Sequence, residues 1–115
     1  MSTFAYYNIS TTDVTTISAI DSVNSTSIAQ DIKGSPKCIT MCNKDASGDD
    51  CTIELYLENS GATSTVYILH DVIIPGGSTL ILEQPEINFD STVYALKFKL
   101  TTVAATQLVD IKIEY

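Results

Sequence analysis

The sequence has no tryptophan, one histidine, three cysteines and few positive charges. Each shortage removes a class of function. Without Trp, an aromatic-lined sugar cleft has little to be built from, so Glu83 and Glu86, which flank Pro85, do not read as a glycosidase pair. His70 is the only imidazole, and Cys38, Cys42 and Cys51 contain no CxxC pair, so no zinc pattern is present. Lys and Arg total 6 against 14 Asp and Glu, a net charge of −8. Such a surface repels a nucleic-acid backbone; solubility is the preferred reading of the charge, and keeping free copies apart until they meet a specific receiving surface is a further use it could serve. No apolar run reaches the roughly 20 residues that cross a bilayer. The start, Met1-Ser2-Thr3-Phe4-Ala5-Tyr6, lacks the basic and apolar segments of a secretory signal. Neither nucleic acid nor membrane is expected as a partner.

What is present is β-structure. A chain of 115 residues is one domain's worth. Apolar residues make up 44% and charged residues only 17%, with Ser and Thr filling the difference, which suits strands with threonine-coated outer faces. Residues 1–12 are expected to form an N-terminal arm or a first edge strand, ahead of a single sandwich domain over 13–115. A strand is expected near 14–20, and a polar loop or irregular edge over 21–35. Alternation then becomes clear. Ile39 and Met41 face one way, and Cys38, Thr40 and Cys42 the other. Ile53, Leu55 and Leu57 point inward, and Glu54, Tyr56 and Glu58 outward. Thr65 to Ile74 reads as one long strand, or as two short ones joined by a bend near His70 and Asp71. Pro75-Gly76-Gly77-Ser78 is the strongest turn. Leu80 and Leu82, then Tyr94, Leu96, Phe98 and Leu100, then Val109, Ile111, Ile113 and Tyr115 mark the remaining strands. The pattern predicts an all-β fold, an antiparallel two-sheet β-sandwich of about seven or eight strands, with a small β-barrel as the other option.

Candidates for chemistry are thin. Asp45, Asp49 and Asp50 share a loop that could hold calcium, but the EF-hand spacing and its closing Glu are missing, and a solvated loop is the preferred reading. His70 and Asp71 resemble two members of a triad, yet neighbours on a strand point to opposite faces, so their side chains should not meet. No Gly-x-Ser-x-Gly elbow exists, and the turn at Gly76 is followed by no Lys and no helix pattern, so it is not a phosphate loop. Cys42 has outward parity and Cys51 inward parity, so bonding them would need a bulge. Cys38 and Cys42 lie about 13 Å apart along one strand. Free thiols are expected, in keeping with assembly in a reducing cytoplasm. Sequons at Asn8 and Asn24 are expected by chance in so Ser/Thr-rich a chain. No enzyme activity and no cofactor are expected. The residues that stand out are contact residues: Phe4, Tyr6 and Tyr7 near the terminus, and Tyr56 and Tyr67 opposite the core-facing side of their strands.

The stretches Ile53 to Asn59 (IELYLEN), Thr65 to Ile68 (TVYI), Val72 to Leu82 (VIIPGGSTLIL) and Ser91 to Leu96 (STVYAL), with a β-rich C-terminus, resemble small virion structural proteins of tailed phages, especially cyanophages. Those chains run as an "LYL" strand, a "YxI" strand, an "IPAGxTL" turn and a final strand pair. The resemblance covers residues 52–115. It implies a particle-bound β-sandwich, a capsid decoration (cement) protein on the outer capsid surface, made in the host cytoplasm. Its implied partners are the major capsid protein and further copies of itself, as a dimer or trimer bridging neighbouring subunits. A neck, tail or fibre-base component is the alternative within the particle. A carbohydrate- or calcium-binding β-module is the alternative outside it.

Overall fold

The computed structural model describes residues 4–20, 35–101 and 107–115. The loop expected over 21–35 falls, apart from Ser35, outside those residues, as do positions 1–3 of the expected arm.

Among the described residues, eight strands follow one another: β1 Phe4–Ile9, β2 Thr15–Ser18, β3 Cys38–Asn43, β4 Cys51–Asn59, β5 Thr65–Ile74, β6 Thr79–Glu83, β7 Tyr94–Leu100 and β8 Val109–Glu114. A single 3-10 turn, Ser60–Ala62, joins β4 to β5, with Gly61 at φ 83°. Asn59 closes that turn: its Oδ1 accepts from the Ser64 N–H at 2.7 Å, and its Nδ2 donates to Thr63 Oγ1 at 2.8 Å.

The pairing follows a simple rule. β1 pairs with β8, β2 with β7, β3 with β6 and β4 with β5, all antiparallel. These are the rungs of one long hairpin, outermost strands first. Two further pairings, β3 with β8 and β4 with β7, roll that hairpin up. The result is two four-stranded sheets in the orders β1-β8-β3-β6 and β2-β7-β4-β5. This is the winding of the jelly roll. Two separate sheets form, rather than the single closed sheet of a barrel. Residues 4–9 are an edge strand in register with β8 from Phe4↔Glu114 to Ile9↔Val109. A unit limited to 13–115 would therefore lack one strand of the first sheet.

The alternation decides the core. Ile39, Met41, Val109, Ile111 and Ile113 from the first sheet meet Ile17, Ile53, Leu55, Leu57, Leu96, Phe98 and Leu100 from the second. Each such side chain, fully buried, stabilises the fold by about 1.5–3 kcal/mol. Ile87, in the connection between β6 and β7, is also fully buried and plugs the core from a loop.

One end of the sandwich is held by a polar hub. Asn43 is completely buried. Its Nδ2 donates to the carbonyls of Asp49 and Ile74, both at 2.9 Å. Its Oδ1 accepts from the Asp45 N–H at 3.1 Å and from Gln107 Nε2 at 2.8 Å. Its backbone N–H donates to Ser78 O, and its carbonyl accepts from the Gly77 N–H. The turn 75–78 thereby lies against the loop 44–50. The approach is so close that a Cβ on Gly76 would overlap the carbonyl group of Gly48 and stand 2.8 Å from its Cα.

Candidate functional site

The outer face of the second sheet gathers the groups most able to do something. β4 is central and contributes Glu54, Tyr56 and Glu58, and β7 contributes Lys97 and Lys99 opposite them. Lys97 Nζ bonds Glu58 Oε1 at 2.7 Å. Among the described residues, β5 lies at the edge of its sheet, paired only with β4.

β5 is not a regular strand. Ile53 faces Val72, Leu55 faces Leu69 and Tyr56 faces Tyr67, with register shifts on both sides of Leu55. Extra residues are therefore accommodated in β5, and Glu54 faces both His70 and Asp71. Asp71 takes φ 51°, a left-handed conformation unusual outside glycine. Two residues opposite one is the signature of a β-bulge, which re-aims side chains. Of the two options for Thr65 to Ile74, the structure has the one long strand, with this bulge at His70 and Asp71. It also corrects the expectation that strand alternation keeps those two side chains apart. His70 Nε2 lies 3.8 Å from Asp71 Oδ2 and 3.2 Å from Glu54 Oε2. Among the described residues, these three form a group whose ligand atoms all lie within 4.8 Å of one another.

An aromatic row continues from that group. The Tyr67 ring meets the His70 imidazole edge-on at 4.6 Å, and Tyr56 at 5.5 Å. Tyr56 is on the outer face as expected, yet only 8% exposed, because its directly opposed neighbour Tyr67 covers it. Burial pushes the Tyr56 hydroxyl's pKa up, and the nearby charges of Glu58 and Glu54 add to the shift. Tyr67 itself is 47% exposed, Val66 47% and Ile73 59%.

The other expected contact residues separate by strand parity. Phe4 and Tyr6 lie on the outer face of the first sheet, rings stacked at 6.5 Å. Tyr7 has the opposite parity and packs against the core with Ala5. Beside Tyr6, the small residues Thr40 and Cys42 form part of the lining of an open groove of about 350 Å³, together with Asp110 and Lys112. Asp110 is held there by Lys44 at 2.8 Å and by the Asn8 side chain, and these contacts lower its pKa.

The acidic loop is built for its own shape. Asp45 Oδ2 accepts from the Ser47 and Asp49 N–H groups at 3.1 and 2.8 Å. Asp50 Oδ1 accepts from the Gly76 N–H at 3.2 Å. These carboxylates organise the two touching turns, as Asx-type bonds do. The three cysteines are free. Cys51 faces the core on β4, and burial raises its pKa despite a hydrogen bond to Ile74. Cys38 and Cys42 lie on β3 in the other sheet, half-buried.

Sequence reasoning missed the grouping of Glu54, His70 and Asp71. The signal was the nearly unbroken apolar run in β5, where Val66 to Leu69 and Val72 to Ile74 spoil a strict period of two. Compared with family models, with curated proteins and with solved structures, the chain gives no match.

Proposed function

We propose that the chain is a structural subunit of a virus particle. In this reading it is a capsid decoration (cement) protein of a tailed phage, seated on the outer capsid surface. It binds the major capsid protein and bridges neighbouring subunits, itself as a dimer or trimer. The observation that carries the proposal is a filled interior combined with apolar side chains left outside. The jelly-roll winding is shared by capsid, lectin and cupin domains, so the fold alone does not choose among them. Aliphatic side chains and Phe98 occupy the space between the sheets, where a small-molecule chamber would otherwise lie. Outside, Val66, Tyr67 and Ile73 on edge strand β5, Ile81 on edge strand β6, and Phe4 and Tyr6 on edge strand β1 stay exposed. Exposed aromatic and branched side chains along sheet edges suit contact with another protein surface. A subunit that binds only the assembled shell stabilises that state by mass action.

The test uses shells prepared without this chain. Adding it should give saturable co-sedimentation and raise the shell's resistance to heat. The double substitution Ile73→Ser, Ile81→Ser, at two exposed edge positions, should weaken both while leaving the free chain's unfolding midpoint nearly unchanged. A wild-type chain that stays in the supernatant sinks the reading. In an intact particle, copies spread over the shell fit decoration, and a single ring at one vertex assigns the chain instead to the neck, tail or fibre base.

A further inference from the structure

We propose that Glu54, His70 and Asp71 form a site for a transition-metal cation of the Zn²⁺ class, an inference independent of the particle reading. The first argument is distance. A tetrahedral zinc site with bonds of about 2.0–2.1 Å places its donor atoms roughly 3.3 Å from one another. His70 Nε2 stands 3.2 Å from Glu54 Oε2 and 3.8 Å from Asp71 Oδ2. All three donor atoms lie within 4.8 Å of each other. Small side-chain rotations would close the set on one cation.

The second argument is the donor set. A simple ion pair needs one carboxylate beside the imidazole. Here two carboxylates converge on the same nitrogen, in a chain of net charge −8. A cation between them relieves their mutual repulsion. An imidazole with two carboxylates suits Zn²⁺, Ni²⁺ or Cu²⁺, whereas Ca²⁺ and Mg²⁺ take oxygen ligands.

The third argument is support. Glu54 is on the central strand β4, its side chain only 12% exposed. The Tyr67 ring rests against the imidazole and limits its rotation. His70 and Asp71 are 57% and 61% exposed, so solvent reaches the remaining coordination positions.

The experiment is a calorimetric titration of the chelator-treated full chain with ZnCl₂ at neutral pH, repeated with CaCl₂. The expected result is one saturable zinc site per chain and no heat from calcium. His70→Ala and Glu54→Gln should each weaken zinc binding at least about tenfold, the least that loss of a direct ligand should cost when supporting contacts alone are worth 10–100-fold. Asp71→Gly is the folding control. It removes a ligand while suiting the positive φ, so the chain should fold at least as well and still bind zinc less tightly. No saturable zinc heat in the wild type overturns the proposal. Equal zinc affinity in wild type, His70→Ala and Asp71→Gly also overturns it, by placing the metal on other groups such as the thiols.

Discussion

The phenolic hydroxyl of Tyr115 stands 2.9 Å from the Ser18 hydroxyl, 97 positions away in the chain, and donates to the Ile17 carbonyl at 2.8 Å. With its single proton committed to Ile17, the phenol accepts from Ser18. Ser18 is fully buried in β2, and Tyr115 follows the end of β8. The contact therefore ties the first sheet to the second near the C-terminus.

Removing that hydroxyl tests the tie. Tyr115→Phe keeps the ring but leaves the Ser18 hydroxyl and the Ile17 carbonyl without this partner. The expected loss is about 1–2 kcal/mol in urea unfolding. A change indistinguishable from zero would mean that the tie contributes nothing.

The same group makes stability fall in alkali. Burial pushes the Tyr115 pKa from its ordinary 10.0 up to about 12, against the opposing pull of the Ser18 hydrogen bond. The fold favours the neutral phenol, so this contribution is fully present below pH 10.0 and is lost as pH rises through about 12. Tyr7 and Tyr56 shift the same way, both chiefly through burial. Unfolding midpoints should decline across that window, less steeply in Tyr115→Phe than in the wild type.

Two adjacent glycines should respond differently to alanine. Gly77 has φ 79° with open space where a side chain would go, so Gly77→Ala should cost about 1 kcal/mol from backbone conformation alone. Gly76 lies against the backbone of Gly48, so Gly76→Ala must force two turns apart and should cost more. Equal losses in parallel urea titrations would contradict the close contact.

Asn43 should be among the least replaceable polar residues. Asn43→Ala strips partners from Gln107, from the Asp45 N–H and from the carbonyls of Asp49 and Ile74. Several buried groups lose hydrogen bonds at once, so a loss of about 2–4 kcal/mol is expected. Thermal unfolding with a midpoint close to wild type would show that water replaces the amide.

Thiol reactivity should divide the cysteines. Cys38 and Cys42 are part-exposed on the outer face of the first sheet, whereas Cys51 is buried and its thiolate disfavoured. A thiol reagent should label the first two in the native protein and the third only on unfolding. Mass mapping of the labelled peptides decides it.

Much of the strand layout was legible because local alternation carries it. Ile39 and Met41, or Ile53, Leu55 and Leu57, declare an inner face from the chain alone, since a half-buried strand has a period of two. Other features were not legible at that range. Tyr7 looked like a contact residue until its register beside Ile111 turned it inward. Ile87, in the connection between β6 and β7, belongs to no alternating run, and its burial follows only from how the core closes over it. The meeting of Glu54 with His70 and Asp71 depends on register shifts between β4 and β5, which alternation within either strand does not reveal.

An acidic, all-β chain with one apolar side on most strands is written in the residues alone, because composition and periodicity are local properties. That the first strand pairs with the last to roll a jelly roll follows from the folded chain and not from any one segment. So does the bulge that brings an imidazole and two carboxylates within reach of one another. Those outcomes depend on which distant segments share hydrogen bonds and in what register, and that choice is made by how the whole core packs.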